Sequence, residues 1–159
     1  HAAPTEPPVV LAALGPRMLA LAAERTRGAH PYFVTPEHTA TARQTLGAGA
    51  WLLPEQTVVL ERDPVEARRI ARGFTERYLA LENYTGNLRR LGFGDEDLAG
   101  AGSDRLVDAV VAWGSIDQVA TRVRAHFDAG ADHVCLQALE ADGRALPRRS
   151  WQALAEALL

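Results

Sequence analysis

The chain reads as an α/β protein made of parallel strand–helix units. Three observations predict this: short apolar runs bounded by glycine or proline, helix-start signals directly after them, and connections long enough to cross over a parallel sheet. A strand followed by a helix recurs four times within 159 residues of 47% apolar and 23% charged composition, which suits one packed domain. Four parallel strands form either a small open sheet or half of an eight-stranded barrel, and a whole barrel takes about 250 residues. Composition leaves both open.

The elements follow in order. His1–Pro8 holds three prolines in eight residues, which removes donors and forces extended backbone, so residues 1–8 are read as a linker and 9–159 as the folded domain. Val9 to Leu14 is the first strand, a continuous apolar run between Pro8 and Gly15. Pro16 opens the first helix, whose Met18, Leu19, Ala22, Ala23 and Thr26 recur at helical spacing until Gly28. His30 to Val34 is the second strand, and Thr35-Pro36-Glu37 starts a helix that runs to about Leu46. The third strand spans Gln56 to Glu61; Asp63-Pro64 then caps a long helix with an Ala67, Ile70, Phe74, Tyr78, Leu81 stripe.

Between Asn83 and Gly102 the pattern loosens into polar residues and glycine, so this stretch is read as an insertion with one short helical piece near Leu88 to Leu91. A helix from about Ser103 to Trp113 follows. Ser115 and Gln118 form a capping box for the next helix, with Ile116, Val119, Val123 and Phe127 as its buried face until Gly130. His133 to Leu139 is the fourth strand, and Pro147 to Leu158 the closing helix.

Net charge is −3, and all seventeen basic residues are arginine. Neither sign dominates, so nothing in the composition marks a nucleic-acid or anionic-membrane partner. One cysteine, Cys135, excludes an internal disulfide framework and a multi-cysteine metal site, and no apolar run approaches the roughly eighteen residues of a membrane span. A reducing, cytoplasmic setting is expected, without a bound metal.

Ala13-Leu14-Gly15-Pro16-Arg17 carries the strongest chemical signal. A small-residue turn from strand into helix lets a backbone approach an oxyanion, and Arg17 in the first turn adds a guanidinium. The alternative is a plain strand-to-helix turn. His30 and Tyr32 flank Pro31, where the second strand should fray near the carboxyl end, so they are candidates to line a substrate site or else to fill the core. His38 is expected at the surface near a helix cap. Gln137 could reach the same rim but is expected to make a structural hydrogen bond, Cys135 to be a small buried hydrophobe, and the doublets Arg68-Arg69, Arg89-Arg90 and Arg148-Arg149 to coat solvated faces.

Leu11 to Gly47, together with Gly102 to Leu139, carries the Ala-Ala-Leu-Gly-Pro turn, the His-Pro-Tyr segment, the Trp-Gly-Ser box and the Ala-Gly-Ala-Asp-His-Val strand entry. In this order and spacing they resemble the C-terminal half of the luciferase-like monooxygenase superfamily, most nearly its actinobacterial branch of probable oxidoreductases using coenzyme F-420. The resemblance implies the second half of a (β/α)₈ TIM barrel, beginning just before the fifth strand. It implies hydride transfer by deazaflavin F-420, with FMN as the alternative, to or from a small organic substrate. It also carries over Ala12, Ala13, Leu14, Gly15, Pro16 and Arg17 as cofactor-binding candidates. A half-barrel exposes apolar edges, so the expected partner is a second copy, a complementing N-terminal half or the rest of a longer polypeptide of which this is a fragment, and the competing reading is a non-catalytic assembly or cofactor-binding module.

Overall fold

A computed structural model describes residues 7–143 and 145–159. Most of the expected linker, residues 1–6, therefore lies outside the described residues. The elements in order are β1 (Val10–Leu11), α1 (Pro16–Arg25), β2 (Gly28–Ala29), α2 (Pro36–Leu46), β3 (Trp51–Leu52), β4 (Glu55–Val59), α3 (Pro64–Leu79) and α4 (Glu82–Arg90). Then come α5 (Asp95–Leu98), α6 (Asp104–Val110), β5 (Val111–Trp113), α7 (Ile116–Asp128), β6 (Cys135–Ala138) and α8 (Arg148–Leu158).

Helix starts follow the residues that signalled them. Prolines occupy the first helical position of α1, α2 and α3, where a missing N–H costs nothing. Asp63 accepts from the amides of Val65 and Glu66 at 2.8 and 3.2 Å. Ser115 and Gln118 close their capping box reciprocally, at 2.8 and 3.3 Å.

Every strand pairing is parallel. β1, β2 and β3 pair in that order, while β4 lies between β5 and β6. Only Leu53 and Pro54 separate β3 from β4, and the ladders run across them. The amides of Leu53 and Glu55 donate to Ala29 and Pro31 of the β2 segment, whereas the amides of Asp132 and Cys135 donate to Leu52 and Pro54 on the opposite side. Successive residues of a strand point their main-chain groups to alternate sides, so β3 and β4 act as one strand between β2 and β6. β5 takes the side that β2 leaves: the Gly114 amide donates to Val59, as odd-numbered in this strand as Leu53 and Glu55. β1 and β6 are the outer strands at the two limits of this sheet, and β5, paired with β4 alone, is a further short edge.

Four sequence readings need correction. The second strand lies earlier than His30 to Val34: it is Gly28–Ala29, its ladder reaches only to Pro31, and Phe33 turns the chain with φ 58°. The helix expected from Ser103 to Trp113 ends at Val110, and Val111–Trp113 is strand. Arg122 ends that helix by donating to the carbonyls of Ala109 and Asp108 at 2.5 and 2.9 Å, and the β-branched residues that follow pair with the free side of β4. The stretch Asn83 to Gly102 holds two helices, α4 and α5, not one short piece. Finally, Phe127 of α7 is exposed, and His126 takes the inner position.

His126 can do so because both ring nitrogens are satisfied. Nε2–H donates to Gln56 Oε1 at 3.0 Å, and Nδ1 accepts from the Thr39 hydroxyl at 2.8 Å. Gln56 passes its own donors to Thr57 O and Val110 O, so a polar chain runs from α2 through α7 into β4 with no group left unpaired.

Among the described residues four apolar clusters surround the sheet, the smallest of them Val123, Ala131 and Val134. The largest joins Phe33, Phe74, Leu88, Leu106 and Val111; a second joins Leu19, Ala22, Ala29, Ala42 and Leu52; a third joins Val58, Val119 and Leu154. Arg43 ties α2 to the loops. Its guanidinium donates to Gly130 O, Gly47 O and Ala50 O at 2.9, 2.7 and 2.8 Å and pairs with Asp132 at 2.6 Å. Arg43→Met should strand these carbonyls and cost about 2 kcal/mol in urea unfolding; a loss below about 0.5 kcal/mol would mean that water replaces the guanidinium freely.

Candidate active site

The turn between β1 and α1 opens onto a cavity of about 500 Å³. Ala12, Leu14, Gly15 and Met18 form one wall, and Glu82, Asn83, Gly86 and Arg90 of α4 form the other. Gly15 is extended (φ −86°, ψ 163°) and has no side chain to cap the helix, so the first-turn amides of α1 lack a side-chain cap among the described residues. Leu14 presents its carbonyl to His38, whose Nε2–H donates to it at 2.9 Å.

His38 is thus not the surface residue its position in the helix suggests: it is 3% exposed. Burial, with Arg90 adding to it, lowers its pKa against the opposing pull of the Leu14 bond. The neutral ring leaves Nδ1 as a bare buried acceptor without a partner, and the Nδ2 of Asn87 on α4 is an unpartnered buried donor.

The six residues expected at the turn divide. Ala12, Leu14 and Gly15 line the cavity. Ala13 points into the core beside Leu19 and Ala22. Pro16 and Arg17 are exposed, and neither lines the cavity. The guanidinium that does is Arg90, read from the sequence as half of a solvated doublet; its neighbour Arg89 pairs instead with Asp95. Arg89 and Arg90 are both exposed, as expected of a solvated doublet; that reading fails at Arg68, which binds Asp108 with two nitrogens at 2.9 and 2.6 Å and ties α3 to α6.

A second group of side chains lies on the face of β4 and β6 turned away from α7 and α8. Register places Glu55 beside Cys135 and Thr57 beside Gln137. Tyr32 donates to Gln137 Oε1 at 2.6 Å and accepts from the Tyr78 hydroxyl at 3.2 Å. Burial above all, then the Tyr78 bond, holds the Tyr32 phenol above its usual range. His30 does not join this group: its Nδ1–H donates to Leu53 O at 2.5 Å and braces β2 against the β3–β4 link. Gln137 makes the hydrogen bond expected of it and borders a cavity of about 380 Å³ shared with Phe74, Ile70 and Arg77 of α3. Cys135 is half-buried, with its thiol pKa raised by burial and by Glu55.

Glu55 is the residue the sequence reading passed over. It is 4% exposed, accepts from Thr57 Oγ1 at 2.7 Å and from the Phe33 amide at 3.4 Å, and pairs with no cation among the described residues. Burial pushes its pKa up to about 7, against the pull of those two donors. A lone carboxylate inside the apolar run Leu52 to Leu60 was the available signal.

The family model for luciferase-like monooxygenases matches residues 1–133. The chain belongs to the luciferase-like monooxygenase family. Its fold resembles solved structures at low sequence identity. A coenzyme F-420-dependent tetrahydromethanopterin reductase from Methanopyrus kandleri superposes with a TM-score of 0.64 at 15% identity, over 95% of this chain and 49% of that one. An F-420-dependent secondary alcohol dehydrogenase in complex with an F-420–acetone adduct gives 0.60 at 11%, over 84% and 43%. The oxygenating constituent of the 3,6-diketocamphane monooxygenase from Pseudomonas putida, in complex with FMN, gives 0.61 at 20%, over 93% and 46%. Among curated protein sequences none matches.

This luciferase-like chain spans about half the length of the structures it resembles. Its parallel βα units are the C-terminal half of a TIM barrel, in which β1, β2, the joined β3–β4 and β6 are successive staves. Both the Gly15 turn and Gln137 then lie toward the carboxyl ends of strands, the end where such barrels hold their chemistry. Among the described residues no helix is long and apolar enough to cross a membrane, and no cluster of His, Cys, Asp or Glu could hold a metal ion.

Proposed function

We propose that this chain supplies one half of the active site of an oxidoreductase that moves hydride between deazaflavin F-420, with FMN as the alternative, and a small organic substrate. The observation that carries the reading is the open cavity at the Gly15 turn, where uncapped first-turn amides and a guanidinium face one space of about 500 Å³. That donor set fits a phosphate. Ala12, Leu14 and Gly15 would hold the phosphate end of the cofactor, which supplies the hydride-accepting ring.

The chain's own residues then bind and orient. Small side chains at Ala12 and Gly15 admit the anion to backbone distance. Tyr32, fixed between Tyr78 and Gln137, presents a protonated phenol at the strand ends and keeps Gln137 in one orientation. The Phe33, Phe74, Tyr78 and Tyr84 rings, packed with centroids 4.7 to 5.8 Å apart, keep water from that side of the sheet. His30 would act through the backbone it braces rather than on substrate.

The outer strands β1 and β6 favour a second element of the reading: a complementing half-barrel, or a second copy, pairs with them before turnover. Titration of purified protein with F-420 and with FMN, followed by absorbance and fluorescence, should show saturable binding of one of them once a complementing half is supplied. Absence of binding at tens of micromolar would remove the cofactor assignment. Tyr32→Phe should lower turnover of the assembled enzyme about tenfold while changing stability by roughly 1 kcal/mol; unchanged turnover would confine Tyr32 to the core.

A further inference from the structure

We propose that Arg90, held in place by Asn87, is the guanidinium that neutralises an oxyanion at the Gly15 turn, so that α4 rather than the first turn of α1 completes the anion site. The inference rests on the reading of that turn as a phosphate site and adds the residue that gives it charge.

Four observations converge. An ideal Cβ at Gly15 would lie 3.5 Å from Arg90 Nη2, so this guanidinium spans the cavity to the bare glycine backbone. Asn87 Oδ1 accepts from the same nitrogen at 3.2 Å, which fixes its approach one helical turn back along α4. The other end of that carboxamide, Nδ2, sits on a residue 3% exposed and has no partner among the described residues, so the side chain that holds Arg90 keeps an unspent donor. Finally, none of the ion pairs among the described residues involves Arg90, although most other arginines of α3 and α4 take part in one.

The charge balance of the cavity matters. Glu82 also lines it and works against an anion. The uncapped amides of α1 and the planar fork of Arg90 work for one, and a guanidinium offers two parallel donors to a phosphate. His38 beneath the turn is neutral and contributes no charge. Arg17 is exposed and lines no part of the cavity.

Inorganic phosphate is the probe, its affinity read by chemical-shift titration of the full chain, with circular dichroism confirming that each variant folds. Wild type should bind, Arg90→Gln should bind roughly tenfold more weakly, Arg17→Gln should stay within about twofold of wild type, and Glu82→Gln should bind more tightly. Phosphate should also slow phenylglyoxal modification of Arg90 in the unmutated chain, mapped by peptide mass, which covers the case of a variant that misfolds. If wild type binds no phosphate, the phosphate reading of the Gly15 turn fails and this assignment falls with it. If wild type binds while Arg90→Gln matches it, or if Arg17 is the protected residue, the assignment to Arg90 alone is overturned.

Discussion

Gly28→Ala should destabilise the fold by about 4 kcal/mol or more, enough to leave much of the chain unfolded at room temperature. A Cβ at this position would sit 2.0 Å from the carbonyl oxygen of Trp51 and 2.7 Å from both its carbonyl carbon and its Cβ. Two of the three obstructing atoms are backbone, so no rotamer change relieves the contact. Gly28 pairs with Val10 on one side and Trp51 on the other; moving it outward therefore breaks two ladders at once. Gly49→Ala is the control, since nothing lies within 4 Å of its added carbon, and it should change stability by less than about 1 kcal/mol. Urea unfolding of both variants checks this. Equal stabilities would mean that β2 and β3 do not approach as closely as described.

The second large effect lies in the pH dependence, where two buried groups oppose each other. Glu55 titrates near 7 in the folded chain against 4.5 for an ordinary carboxylate, so raising the pH from 4.5 to 7 withdraws stability. His126 titrates near 4 when folded against 6.5, because burial, and then Arg122, disfavours its cation; lowering the pH from 6.5 to 4 withdraws stability. Each shift corresponds to roughly 3 kcal/mol.

Between 4.5 and 6.5 the folded chain keeps the Glu55 proton that the unfolded chain has released. The unfolded chain meanwhile carries the His126 proton that the folded one refuses. Proton counts match, and the two slopes cancel. Glu55→Gln should expose the His126 slope: relative to wild type the variant gains stability as pH rises through this window, up to about 3 kcal/mol at pH 8. Unfolding at pH 4.5, 6.5 and 8 measures it, and a constant offset between the two proteins would contradict the buried, cation-free setting of Glu55.

Local signals in the sequence were enough to locate the starts of α1, α2, α3 and α7. Pro16, Pro36, Asp63-Pro64 and Ser115 act within a turn of where they stand, and the helices begin there. The parallel order was also legible, and so, approximately, were the first, third and fourth strands; β2 lies upstream of the run His30 to Val34, and β3 and β5 were not read as strands. Long-range choices were not legible. Periodicity alone cannot decide between His126 and Phe127 for the inner face of α7, since adjacent positions lie only about 100° apart on a helix; the partners Thr39 and Gln56 decide it from distant elements. Likewise, Val111 to Trp113 could continue a helix until Arg122 takes the last carbonyls of α6.

At the candidate site, the strand-to-helix turn at Gly15 and the hydrogen bond of Gln137 were legible from their own residues. That Arg90 lines the same cavity was not, because α4 folds over a turn some seventy positions earlier. Glu55 was hidden for another reason: the third strand was placed at Gln56 to Glu61, one residue too late, so Glu55 fell in the preceding connection instead of on the strand that buries it.

β1 and β6 run in the same direction at opposite limits of the sheet, and in each the even-numbered residues turn their N–H and C=O groups outward. A lone peptide laid along either margin would satisfy that margin and merely move the vacancy outward by one strand. Closing the barrel thus takes a second half with two like-directed margins of its own, engaged at both seams simultaneously, which makes completion all-or-none with respect to hydrogen bonding.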